Sequence, residues 1–115
     1  MKKIILAFLC ITSSLSYSSL SYSKESSTPP ELWSWFKDLN KSAKACEIQS
    51  SFIFQKLNVE NQIQNEYGLY GNIKGNRVVI KCIAMGEKSK LWVAVAGNDK
   101  DSVEFIRNLF IKEIE

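Results

Sequence analysis

The chain has 115 residues, 45% of them hydrophobic, with 15 basic and 12 acidic side chains and a net charge of +3. That length suits one small domain rather than two, and the charge balance supplies none of the strong positive field that draws a protein to nucleic acid. The absence of histidine excludes Ser-His and Cys-His nucleophile pairs and imidazole metal ligands.

Met1-Lys2-Lys3 is followed by the uncharged run Ile4 to Ile11 and then by a Ser-rich stretch with no acid before Glu25. A basic end, a short apolar run and small residues at Ser21 and Ser23 make a secretory signal peptide over residues 1–23, with a cut after Ser18 fitting nearly as well. The run falls short of the ~20 residues that a membrane-crossing helix needs, so no transmembrane segment is expected after cleavage. The expected product is exported, to the periplasm or the exterior. Without Lys2 and Lys3 it has 13 basic residues against 12 acidic ones, so its net charge is close to neutral.

Residues 24–30 read as a flexible polar tail and residues 31–115 as a single small α+β domain. Thr28-Pro29-Pro30-Glu31 has the composition of a helix start, with a capping hydroxyl, prolines in the first turn and a carboxylate beside the positive end of the dipole. Leu32, Trp35, Phe36, Leu39, Ala43, Cys46, Ser50, Ile53, Phe54 and Leu57 then share about 100° of helical arc. The spacing predicts one long helix over 31–57. A strand beginning at Cys46 is the competing reading, because Cys46, Ile48, Phe52 and Phe54 also alternate; the lack of Gly or Pro near Lys44 to Glu47 favours the helix.

After Asn58 the period becomes two. Val59 to Asn65 is polar and extended, Tyr67 to Ile73 reads as an irregular strand interrupted by Gly68 and Gly71, and Lys74-Gly75-Asn76 as a hairpin turn. Arg77 to Met85 and Lys90 to Ala96 are strand-like runs joined through Gly86. Leu91 to Ala96 is apolar on both faces, as in a doubly covered strand. Gly97-Asn98-Asp99 then opens a helix over about 99–114. The expected order is α-β-β-β-α, a three-stranded antiparallel meander with both helices on one face.

Cys46 and Cys82 are the cysteines that remain once Cys10 leaves with the signal, and in an oxidising compartment they are expected to form a disulfide joining the first helix to the sheet. Val78, Ile80, Cys82 and Ala84 then face that helix. Val79, Lys81, Ile83 and Met85 occupy the opposite face, which is either solvated or a binding surface, including a surface for a homodimer.

Three other groups of residues bear on function. Tyr67, Tyr70 and Asn72 on a glycine-rich edge suit contacts with a peptide or glycan, although cross-strand packing explains the same residues. Lys37, Lys41, Lys44, Ile48 and Phe52 fall within about 80° of the expected first helix, forming a basic stripe ending in two apolar residues. Asn98-Asp99-Lys100-Asp101 resembles the start of a cation loop but lacks its glycine and distal glutamate, and a helix cap accounts for it. No cofactor or metal is implied. The sequence therefore points to a small non-catalytic module that binds a protein or cell-envelope component, for instance as an inhibitor, immunity or accessory protein. The alternative is a small envelope enzyme that uses carboxylates or tyrosines.

Overall fold

The computed structural model describes residues 28–115; the expected signal peptide and most of the polar tail lie outside the described residues. Seven elements follow one another: β1 (Glu31–Leu39), α1 (Ala43–Lys56), β2 (Glu60–Asn65), β3 (Gly68–Ile73), β4 (Asn76–Met85), β5 (Lys88–Gly97) and α2 (Lys100–Glu113). The strands form one antiparallel sheet in the order β1-β5-β4-β3-β2. Both helices pack on the same face, and Cys46 on α1 is bonded to Cys82 on β4. Among the described residues no helix is long and apolar enough to cross a membrane.

The α+β class, the disulfide and the final helix agree with the sequence reading; the three-stranded meander and the long first helix do not. Residues 31–39 are a strand, and α1 begins only at Ala43. The misreading has a physical cause. Leu32, Trp35, Phe36 and Leu39 have helical spacing, but Trp33, Trp35 and Phe36 also favour a pleated surface. The decisive factor is a partner far along the chain: β5 offers nine consecutive pairings, from Glu31↔Gly97 to Leu39↔Ser89. The break before α1 lies at Asn40-Lys41, where the following Ser42 caps the helix by accepting from the Ala45 amide at 3.1 Å. A fifth strand, β2, forms from the polar stretch after Val59. It is exposed along its whole length, so burial gave no signal for it.

Helix α1 buries Cys46, Ser50, Ile53 and Phe54, residues spaced so that one side meets the sheet. It stops at Asn58, which adopts φ 56°, and the Val59 amide returns to the Phe54 carbonyl. Helix α2 starts at Asp99, whose carboxylate accepts from the Ser102 amide at 3.0 Å, and it buries Val103, Ile106 and Phe110. Asp99 is thus a helix cap. The two helices meet through Phe54 and Phe110, with ring centroids 5.4 Å apart. Beneath them Val78, Ile80, Leu91, Val93 and Val95 complete the core.

Two positions require glycine-like freedom or space. The turn Lys74-Gly75 has positive φ at both residues (50° and 79°), the conformation of a tight hairpin that follows the strand twist. At Gly71 an added Cβ would lie 2.2 Å from Val59 and 3.2 Å from the Phe54 ring, so β3 passes directly under the end of α1 only because a side chain is missing there. Buried Asn76 donates to the Lys74 carbonyl and to Ser102 Oγ, fastening the start of β4 to the first turn of α2.

Candidate binding face

Among the described residues the helices cover one side of the sheet and leave the other open. Because side chains alternate along a strand, the residues between the core positions project from the open side. On β4 these are Arg77, Val79, Lys81, Ile83 and Met85, and the pairings Tyr70↔Val79 and Asn72↔Arg77 bring two residues of β3 beside them. The pairings Val79↔Ala94, Lys81↔Trp92, Ile83↔Lys90 and Met85↔Lys88 carry the face onto β5. It then continues to β1 through Leu32↔Ala96, Ser34↔Ala94, Phe36↔Trp92 and Asp38↔Lys90. Ile63 on β2, opposite Tyr70, extends it at the far edge.

At the centre lies a row made by Phe36, Trp92 and Lys81. The rings of Phe36 and Trp92 are 6.4 Å apart and tilted, and the Lys90 ammonium lies 6.0 Å from the Phe36 ring while bonding Asp38 at 2.7 Å. Val79, Ile83 and Tyr70 are half-buried beside this row, and Met85 and Ile63 are exposed at its ends. Three more cations, Arg77, Lys88 and Lys90, border this row. Of the acids on the face, Asp38 is taken up by Lys90 and Glu60 stands at the β2 end.

The structure therefore brings together Val79, Lys81, Ile83, Met85, Tyr70 and Asn72, which the sequence had given as two separate groups. Tyr67 stands apart in the β2–β3 turn, exposed, with its amide donating to Asn65 Oδ1 at 2.8 Å. Lys81 also reaches this turn and bonds the Glu66 carbonyl. The basic stripe is not one helix face. Lys37 belongs to β1 and donates to the Ile111 and Ile114 carbonyls at 2.7 and 2.8 Å, closing the C-terminal end of α2. Lys41 lies in the turn before α1 and bonds Gln49 at 2.6 Å. Only Lys44, Ile48 and Phe52 share the outer side of α1, where Ile48 and Phe52 are 62% and 66% exposed.

Sequence reasoning missed Phe36, Trp92 and Leu32. Phe36 and Leu32 were absorbed into the expected helix. Trp92 stood in a run read as covered on both faces, whereas that run has one face in the core and the other in the open patch. The strict alternation of Trp92, Ala94 and Ala96 with Leu91, Val93 and Val95 was the available signal.

A crevice of about 110 Å³ lies elsewhere among the described residues, between α1 and the β2–β3 hairpin. It is lined by Glu47, Glu66, Lys81, Ser50 and Cys82 among others. It is smaller than the roughly 300–1,000 Å³ of ordinary small-molecule sites, and the hollows of about 400 and 450 Å³ beside the β3–β4 turn are open and mainly polar. Among the described residues no group of three or more acidic or cysteine side chains is placed to hold a metal ion. Comparison of the chain with protein-family models, curated proteins and solved structures finds no match.

Proposed function

We propose that this chain is an exported, non-catalytic binding module that holds a protein partner on the open sheet face, in the manner of an inhibitor, immunity or accessory protein. The observation that carries the proposal is the Phe36–Trp92–Lys81 row set among Val79, Ile83 and Tyr70. Aromatic and aliphatic residues surrounded by cations make the kind of patch in which a few buried contacts dominate affinity and charge selects the partner. Two such faces meeting would set Arg77, Lys81, Lys88 and Lys90 against their own copies, so the charge favours an acidic partner over self-association here. The disulfide supports export.

The test is capture from the source's own envelope extract by the oxidised chain, with two folded variants, Lys81→Glu/Ile83→Asp and Trp92→Ala, in parallel. The expected result is a partner that the parent retains, that both variants lose, and whose retention weakens as salt rises. A partner retained equally by both variants would remove the open face from the interaction.

A further inference from the structure

Among the described residues strand β1 is an edge of the sheet, and it is not built like a protected one. It runs for nine residues in unbroken register with β5, and its large apolar residues are exposed: Leu32 at 70%, Trp35 at 59% and Phe36 at 51%. Natural edges are usually short, bulged or carry prolines, because a straight apolar edge is a template for another strand. At the opposite edge, β2 follows that rule, being polar and bulged between Glu60 and Ile63, with Asn61 at φ 53°.

The free edge has a defined phase. The Ser34 carbonyl accepts from Arg107 Nη1 at 3.1 Å, so it is turned away from β5. A strand alternates the side to which its backbone groups point, which puts the N–H and C=O of Leu32, Ser34 and Phe36 on the outer edge. We infer that this edge pairs with β1 of a second copy of the chain, antiparallel about a two-fold axis at Ser34, joining the two sheets into one of ten strands.

That register is self-complementary. It sets Ser34 against Ser34, Leu32 against Phe36, Trp33 against Trp35 and Glu31 against Lys37. Leu32 and Phe36 meet on the open face, and the indoles and the opposite charges meet on the helix side. Lys37 uses two of its three protons on the α2 carbonyls, and Glu31 uses one oxygen on the Trp33 indole at 3.1 Å, so each retains capacity for the other. Pairing ends where Pro30 has no amide to give. Other centres fit less well: an axis at Trp35 places Leu32 against Asp38, and one at Phe36 places Ser34 against Asp38 and leaves Leu32 without an apolar neighbour.

Arg107 acts as the latch. Its guanidinium lies 5.3 Å from the Trp33 ring and 5.7 Å from the Trp35 ring while it holds the Ser34 carbonyl. In the pair the Ser34 amide of the second copy takes that carbonyl, and the two guanidinium groups lie near the axis with like charge. Pairing therefore competes with the latch.

Sedimentation velocity of the oxidised chain over a range of concentration tests the inference, together with Arg107→Ala, Leu32→Pro, Ser34→Cys and Asp38→Cys. The expected results are a reversible dimer that is about tenfold tighter in Arg107→Ala. The dimer is lost in Leu32→Pro, whose proline removes only an outward amide and leaves the circular dichroism unchanged. Ser34→Cys cross-links to its own copy, since paired Cα atoms lie within disulfide reach, whereas Asp38→Cys, ~27 Å from its copy, does not. A chain that stays monomeric throughout, Arg107→Ala included, would overturn the inference. So would a dimer that survives Leu32→Pro, or cross-linking through Asp38→Cys as ready as through Ser34→Cys.

Discussion

Cys46 has no exposed surface and Cys82 very little, and the bond between them spans 36 positions of sequence with Cα atoms 6.0 Å apart. Closing a loop of that size restricts the unfolded chain by roughly 3–4 kcal/mol on the entropy model. Replacing either cysteine by serine is expected to lower stability by ~2–4 kcal/mol with the fold retained, as measured by urea unfolding in oxidising buffer; equal midpoints for variant and parent would refute this. The pair was legible because cysteine count and compartment leave few arrangements open. Trp92 was not legible in the same way, since an indole in an apolar run reads equally as core or as surface until its neighbours across the sheet are known. Lys37 shows a similar ambiguity. Its charge suggested a solvated stripe, yet its place is under the last carbonyls of α2, with which it shares nothing local in sequence.

At the scale of elements, local chemistry was informative where it was self-contained. The Lys74-Gly75 turn, the run of β4 and the start of α2 each carry their own signal, and each stands where the pattern put it. Asp99 is the clearest case, a single carboxylate that sets where α2 begins. Asp99→Ala is expected to cost about 1 kcal/mol, read as a lower thermal midpoint, and Asp99→Asn to restore most of it. A loss of the same size in both would mean that the capping bond is not what the residue provides. Strand β1 failed the local reading because its stability comes from β5, and no periodicity within residues 31–39 distinguishes that from an amphipathic helix. Strand β2 failed because it has almost nothing to bury.

For the whole molecule, the core formed by α1, α2 and the covered sheet face is continuous, with Phe54 and Phe110 joining its two halves. Unfolding is therefore expected to be a single transition. Tryptophan emission, which reports Trp33, Trp35 and Trp92 on β1 and β5, should share its urea midpoint with the far-ultraviolet dichroism of α1 and α2; separated midpoints would show that the β1–β5 side melts alone. The open face was half legible. Alternation on β4 exposed Val79, Lys81, Ile83 and Met85, but the neighbours that turn them into a patch depend on the strand order. That order has a further consequence for the chain while it is being made. Among the described strands of one chain β1 pairs with β5 alone, so it emerges about 60 residues before that partner. At synthesis rates of 5–20 residues per second it waits roughly 3–12 s with the backbone groups that β5 will take still unpaired.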